Sequence, residues 1–268
     1  MEITSFSNPL VKRIKRLHRK KYRQKEGVFY IDGLPQVLTA IEHRASIEVV
    51  VFCEKLLTSE AGWLAIAQQR TKGVPCAALS EDIFHRISHF NTPEGLSAIA
   101  KNTWRDLETL EVKPTDIFVA IVEAAYPGNL GAILRTMDAM GAAGLILVGQ
   151  STDPFHPATV RASIVTLFTV PVSRASDIRT LHEWADGHHF HTIATSAKAS
   201  LSYWDATYKF PALLLIGSEH TGLDTATMQT ADQLVTIPMQ GAASSLNVSI
   251  AASLILYELK RIATKPVR

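Results

Sequence analysis

Apolar positions near the N-terminus recur with a helical period. Leu10, Val11, Ile14 and Leu17 share one face and predict a helix docked on a core by that face. The pattern then alternates between short apolar runs and helical spacing. Residues 28–31 read as a strand, and 34–43 as a helix with Val37, Leu38 and Ile41 on one side. Residues 47–52 form an apolar strand, a helix passes through 63–66, and a short strand falls near Val74. Ser80 starts a helix around Ile83, and 96–99 reads as the closing strand of a small α/β unit. After a polar stretch from 101 to 114, the pattern becomes βαβ repetition. Residues 117–122 are continuously apolar, as in a parallel strand buried on both faces. A helix over 130–140 follows, then a strand at 145–148, a helix at 181–185 and strands at 192–194, 212–216 and 234–237. A last helix spans 248–262. The whole predicts an open, mostly parallel sheet preceded by a smaller α/β domain.

Composition adds that the chain is globular. A length of 268 residues suits one large or two ordinary domains, and 47% hydrophobic with 19% charged residues sets it apart from disordered chains. No basic-then-apolar leader opens the sequence, and no apolar run reaches the roughly 18 residues of a membrane helix, so a soluble cytoplasmic protein is expected. Cys53 and Cys76 give neither a disulfide framework nor a zinc site. His182, His188, His189 and His191 cluster without the spacing of a metal ligand set, and no metal is expected.

Charge changes the picture more. Lys12, Arg13, Lys15, Arg16, Arg19, Lys20, Lys21, Arg23 and Lys25 face one acid, Glu2, within the first 25 residues. The local charge is +8 against +2 for the chain, so the remainder carries −6. A basic segment on an otherwise acidic protein is the electrostatic footprint of a polyanion partner. Seen alone, such a run is more commonly a solvated helix face, and both readings can hold together.

Candidate chemistry gathers in three separated segments: NLGAILR at 129–135, GSEHTGL at 217–223 and IPMQGAASSLNVSIAASLILYEL at 237–259. The third runs a strand end into a loop of small residues that opens onto a helix, where backbone N–H groups are free to meet a ligand. No GxGxxG follows the early strands, which argues against a nicotinamide-dependent enzyme. Together, in this order, the three segments resemble the SpoU (TrmH-type) family of S-adenosylmethionine-dependent RNA ribose 2′-O-methyltransferases. The strings SNPLVKRI at 7–14 and GVFYIDG at 27–33 resemble the substrate-binding domain that precedes the catalytic domain in many of them, a domain similar to the L30e fold. Asp32 stands where Glu is more usual.

The resemblance implies an L30e-like RNA-binding domain over 1–101, a linker over 102–114 and a trefoil-knotted SPOUT-type methyltransferase domain over 115–268. It implies S-adenosylmethionine as methyl donor, held by backbone groups at Gly217, Ile237 and Leu246 with Met239 on the wall. Arg135 is the residue the family treats as catalytic. A guanidinium hardly deprotonates, so a fork gripping phosphate and polarising the 2′-hydroxyl is the better chemical account. A bland account is an exposed pair with Asp138. Glu219 would orient Arg135 or the donor, and Asn129, Ser245 and Asn247 would complete the catalytic group. Asn129, Ser245 and Asn247 also read as ordinary helix caps. Lys12, Arg13, Lys15, Arg16 and Arg161 are the expected RNA contacts. Relatives carry a Gly-Ala pair near Ile164, Val165 and Thr166, a departure that bears on substrate geometry. The substrate expected is structured RNA, with 23S ribosomal RNA favoured over transfer RNA, and a non-catalytic RNA-binding relative is the rival. A homodimer through the catalytic domain is implied, using Ser249, Ala252 and Ser253 beside Ile250, Leu254 and Ile255 of the last helix.

Overall fold

The computed structural model describes residues 2–123, 126–163, 166–219 and 221–264. The chain forms two compact units, Met1–Asn102 with Asp153–Phe168, and Thr103–Thr152 with Thr169–Arg268.

The first unit opens with helix α1 (Pro9–Leu17) and helix α2 (Lys20–Glu26). Asn8 caps α1 by accepting from the Leu10 N–H at 2.8 Å, and Pro9 fits the first turn because no N–H is needed there. Val11, Ile14 and Leu17 are fully buried, so the apolar stripe docks as its spacing predicts. Gly27 closes α2 in the left-handed conformation at φ 68° and turns the chain into strand β1 (Val28–Asp32). Helix α3 (Leu34–Glu42), strand β2 (Ile47–Phe52), helix α4 (Glu60–Thr71), strand β3 (Cys76–Ala78), helix α5 (Glu81–Ile87) and strand β4 (Leu96–Lys101) follow. The strand expected near Val74 begins two residues later. The sheet runs β1-β4-β2-β3, with β4 antiparallel to both neighbours and β3 parallel to β2. Its core packs α1 and α5 against Tyr30, Val51 and Ile99.

The second unit begins inside the stretch expected as a linker. Strand β5 (Trp104–Arg105) joins its sheet, and Leu107 in the following 3₁₀ turn is buried. Strand β6 (Ile117–Val122), helix α6 (Pro127–Met140) and strand β7 (Gly144–Val148) come next. The chain then returns to the first unit as helix α7 (Pro157–Ser163) and a 3₁₀ turn at Thr166–Phe168. That return lies within the stretch expected as catalytic domain, and the packing explains it. The Arg23 guanidinium meets the Asp153 carboxylate at 2.9 Å with both side chains buried, and Phe29 packs on Phe155 at 4.8 Å between ring centroids. Of the unusual Ile164-Val165-Thr166 stretch, the first two residues lie outside the described residues, while Thr166 Oγ1 donates to the Ser163 carbonyl at 3.1 Å.

Strand β8 (Val172–Ala175), helix α8 (Ile178–Gly187), strand β9 (His191–Thr195), strand β10 (Ala212–Ile216), helix α9 (Thr225–Thr230), strand β11 (Gln233–Val235) and helix α10 (Val248–Ala263) complete the second unit. Seven strands, all parallel, lie in the order β11-β9-β10-β6-β7-β8-β5. The chain steps outward from β6 through β7 to β8, and later fills the other side with β9, β10 and β11. The strand order therefore switches direction between β6 and β10, and in open parallel sheets ligands bind beyond the carboxyl ends at such a point. Among the described residues, no helix is long and apolar enough to cross a membrane.

Candidate active site at the carboxyl edge of the parallel sheet

The two strands at the switch point deliver the chain to the same edge. β6 is apolar and buried along nearly its whole length, as expected of a central parallel strand, and it is followed by Glu123, whose φ of 70° is unusual for a residue with a side chain. Pro127 then starts α6, with Tyr126 at the cap position. Asn129 was expected to cap this helix. It lies inside the first turn instead, which frees its side chain to point elsewhere.

β10 is followed by Gly217, and the reason for glycine there is steric. A Cβ would lie 2.1 Å from the Gly222 carbonyl carbon, because the following turn folds back until the Gly222 N–H donates to the Ser218 carbonyl at 3.0 Å. Glu219 sits on that turn. Its Oε1 accepts from the Tyr126 N–H at 2.7 Å and from Asn129 Nδ2 at 2.7 Å. The third segment enters from β11 through a loop of small residues to Asn247, the cap of α10. Asn247 Oδ1 accepts from the Ser249 N–H at 2.8 Å, and its Nδ2 donates to Asn129 Oδ1 at 3.1 Å. Capping and site chemistry, two accounts of Asn247 from sequence, are thus made by the two ends of one amide.

Asn129 therefore bridges Glu219 and Asn247, and joins three segments separated by 90 and 118 residues. The remaining site candidates stand differently. Arg135 is exposed on α6, and its side chain forms no hydrogen bond or ion pair with any described residue. The expected Glu219–Arg135 contact is replaced by the bonds to Tyr126 and Asn129, since Arg135 lies six residues further along α6, roughly 9 Å at 1.5 Å per residue. Ser245 is exposed, and among the described residues it too has no hydrogen-bond partner. Ile237 and Met239 are half-buried and Leu246 is 36% exposed. From Ile237 to Leu246 no backbone group is hydrogen-bonded to the described protein. Such a run beside the Gly217 turn offers free backbone donors and acceptors, which is what an adenine edge and an amino-acid carboxylate need. The residues present fit a nucleoside-type cofactor.

The basic residues divide into exposed and engaged. Lys12, Lys15 and Arg16 project from α1 into solvent. Arg13 is spent on Glu26 at 2.7 Å and Glu48 at 2.8 Å, which hold its guanidinium charge and raise its pKa against the opposing effect of burial. Arg161 belongs to the first unit and lies over the Phe90 ring at 5.8 Å. The clustered histidines serve local contacts: His188 Nδ1 bonds to the Trp184 carbonyl at 2.8 Å, His191 Nε2 to Gln233 at 3.2 Å and His182 Nε2 to Thr230 at 3.0 Å. Among the described residues no three His, Cys, Asp or Glu side chains converge as a metal site would require. Sequence reasoning missed the Tyr126 N–H and the Thr136–Ser253 hydroxyl contact at 2.8 Å between α6 and α10. A Thr facing a Ser across two predicted helices was the available signal.

A parallel sheet with a switch-point edge built from these three segments defines a protein of the nucleoside-cofactor-binding α/β class, and comparison with known proteins makes the class specific. Residues 116–257 match the SpoU rRNA Methylase family, and residues 8–98 match the MRM3-like substrate binding domain. The chain belongs to the SpoU rRNA methylase family. It is 30% identical to the 23S rRNA (uridine(2479)-2′-O)-methyltransferase of Streptomyces viridochromogenes, over 91% of this chain and 86% of that one. It is 29% identical to the 23S rRNA (guanosine(2553)-2′-O)-methyltransferase RlmP of Bacillus subtilis, over 97% and 99%. The AdoMet-bound rRNA methyltransferase of Sinorhizobium meliloti superposes with a TM-score of 0.89 at 32% identity, covering 98% of both chains.

Proposed function

We propose that this protein transfers a methyl group from S-adenosylmethionine to a ribose 2′-oxygen of 23S ribosomal RNA. The observation that carries the reading is the hydrogen-bonded bridge Glu219–Asn129–Asn247, which ties all three family segments together at the sheet's carboxyl edge. Backbone groups at Gly217, Ile237, Met239 and Leu246 would hold the donor, which when bound supplies an electrophilic methyl group. With one Nδ2 hydrogen of Asn129 given to Glu219 and one of Asn247 given to Asn129, each amide keeps a second N–H for the ribose hydroxyls. Glu219 keeps its second oxygen as an acceptor. Ser245, next to this group in the loop, adds a hydroxyl.

Arg135 presents an uncommitted planar fork. It suits bidentate capture of the phosphate beside the target ribose, which aligns the hydroxyl and lets its proton pass to a phosphate oxygen or water. Lys12, Lys15, Arg16 and Arg161 would contact RNA phosphates, with Arg13 acting through its two ion pairs to shape that face. The first unit serves as an L30e-like RNA-binding domain and the second as the knotted catalytic domain, and the enzyme acts in the cytoplasm as a homodimer. Large-subunit RNA is favoured because the two named relatives above match this chain along nearly its whole length. The test is tritium transfer from labelled S-adenosylmethionine to unmodified 23S ribosomal RNA and transfer RNA transcripts, followed by mapping of ribose methylation. Label in transfer RNA alone would overturn the substrate, and label in neither would overturn the activity.

A further inference from the structure

The first unit contains a cleft of about 430 Å³ that the methyl-transfer chemistry does not use. Its walls include His18, Tyr30, Asp32, Phe90, His156 and Arg161. A guanidinium stands over the Phe90 ring at 5.8 Å, and the His18 and His89 rings lie 4.2 Å apart, so flat faces dominate one side. At the floor, Asp32 accepts from Ser88 Oγ at 3.0 Å, the His89 N–H at 2.6 Å and Ser97 Oγ at 3.0 Å. Two buried polar atoms beside it are left over. The Tyr30 hydroxyl has Asp32 and Ser97 nearby but no hydrogen bond of acceptable geometry, and His18 Nε2 has no partner among the described residues. Leaving such groups unpaired is costly, so they mark a place where an incoming molecule is rewarded.

The character of those groups narrows the ligand. Burial and the neighbouring His89 push the His18 imidazole down to about 4, and burial likewise lowers His156. Both rings are neutral at physiological pH and the Asp32 carboxylate faces the same space, while the nearby Arg23 is already paired with Asp153, so an anion finds little beyond Arg161 in its favour. No metal-ligand group forms there among the described residues. As a neutral ring, His18 carries one N–H and one bare nitrogen. Its Nε2 accepts or donates with the tautomer, beside a Tyr30 hydroxyl that can do either. A ring nitrogen next to a hydroxyl, with aromatic and guanidinium faces, is the complement of a base edge that carries N–H next to a carbonyl or ring nitrogen.

We infer that this cleft receives one unstacked nucleobase of the RNA substrate, stacked on Phe90 and Arg161 and paired with His18 Nε2 and the Tyr30 hydroxyl. The inference rests on the RNA-methylating reading for the identity of its ligand. It makes the first unit a reader of an extruded base and not only a charged surface.

Fluorescence anisotropy with the full-length protein tests it. The probes are heptaribonucleotides of U, A, C and alternating GU, and an abasic heptamer with the same backbone. At least one base-bearing heptamer should bind about ten-fold more tightly than the abasic one, the range a single stacked base supplies. Phe90→Ala should erase that preference, Tyr30→Phe should reduce it, and abasic affinity and S-adenosylmethionine binding should stay unchanged in both. A wild-type protein without base preference, or a preference that survives Phe90→Ala, overturns the proposal. Phe90-dependent binding of free nucleoside monophosphates without any heptamer preference overturns the RNA assignment. Methyl transfer to ribosomal RNA without base preference leaves the enzymatic reading standing and removes the cleft. Phe90-dependent base preference without methyl transfer does the reverse.

Discussion

Asn129 is fixed by bonds at both ends of its amide, accepting from Asn247 and donating to Glu219. Asn129→Ala removes both and leaves two polar partners facing water, which an exposed edge tolerates. Asn129→Asp is the more damaging change although it is nearly isosteric, because a second carboxylate then faces Glu219. We expect kcat to fall about ten-fold for the Ala variant and about a hundred-fold for Asp, the scale that small misplacement of reacting groups produces. Single-turnover methylation of unmodified ribosomal RNA measures both, and equal effects would show that the bridge is not electrostatic. Arg135 belongs to the same chemistry but not to the same network. Its fork has no protein partner among the described residues, so its substitution should leave S-adenosylmethionine affinity within about three-fold while lowering kcat by about 10² to 10³, as for loss of one preorganised charge-stabilising group. Arg135→Lys should fail nearly as badly, since a point charge cannot reproduce two parallel N–H bonds. Methylation at the normal rate by the Ala variant would remove Arg135 from the site.

Helix α1 separates structure from charge on one surface. Val11, Ile14 and Leu17 anchor it in the core, Arg13 is consumed by Glu26 and Glu48, and Lys12, Lys15 and Arg16 remain in solvent. Replacing these last three with Gln should reduce the slope of log affinity for RNA against log salt by about 2, because each lost phosphate contact releases somewhat less than one counterion. Arg13→Gln should leave the slope almost unchanged and cost under about 1 kcal/mol of stability, as expected for a partly exposed pair. Salt titrations of RNA binding distinguish the two variants, and a slope change from Arg13 alone would contradict this division. The amphipathic face of α1 was legible in the sequence, but the spending of Arg13 was not, since Glu48 lies 35 residues away on β2. The same contrast runs through the molecule. β6, β10 and α10 carry long apolar patterns and stand where those patterns place them. β5 has two residues and no period to read, and α7 is a seven-residue helix that begins at Pro157. The placement of α7 with the first unit depends on Arg23 meeting Asp153 across 130 residues, which no local signal announces. At the site, Asn129, Glu219 and Asn247 were recognisable from their segments. Who bonds to whom was not, because Asn129 had an equally good local role as a cap.

The composite first unit affects how the whole molecule is taken apart. A cut before Thr103 would leave Asp153 without Arg23 and Phe155 without Phe29, both buried partners, so tests of assembly belong in the full chain. The surface that the proposed pairing would use is the outer face of α10. Ala252 and Ile255, two of the residues expected at a dimer contact, are instead buried in their own unit together with Leu256 and Leu259. What remains outside is Ile250 at 53% exposure, Leu254 at 38% and Tyr257 at 54%. They line a groove of about 660 Å³ with Ala132 and Thr136 of α6, rimmed by Glu258 and Arg261, which bond to each other. Large apolar side chains grouped along one helix face, with a polar rim, have the anatomy of an interface core. The groove also lies on the two helices that carry Asn129 and Asn247, so a second copy seated there would brace the ends that form the site. A twofold pairing places the same patch on both subunits, and each substitution therefore acts twice. Ile250→Lys with Tyr257→Lys introduces four charges into such a contact. Light scattering should show a dimer for the wild type and a monomer for the double variant, with S-adenosylmethionine affinity lowered at least about five-fold when the brace is lost. A wild-type protein that is monomeric at tens of micromolar would reject the pairing. A variant that stays dimeric would place the interface on another face.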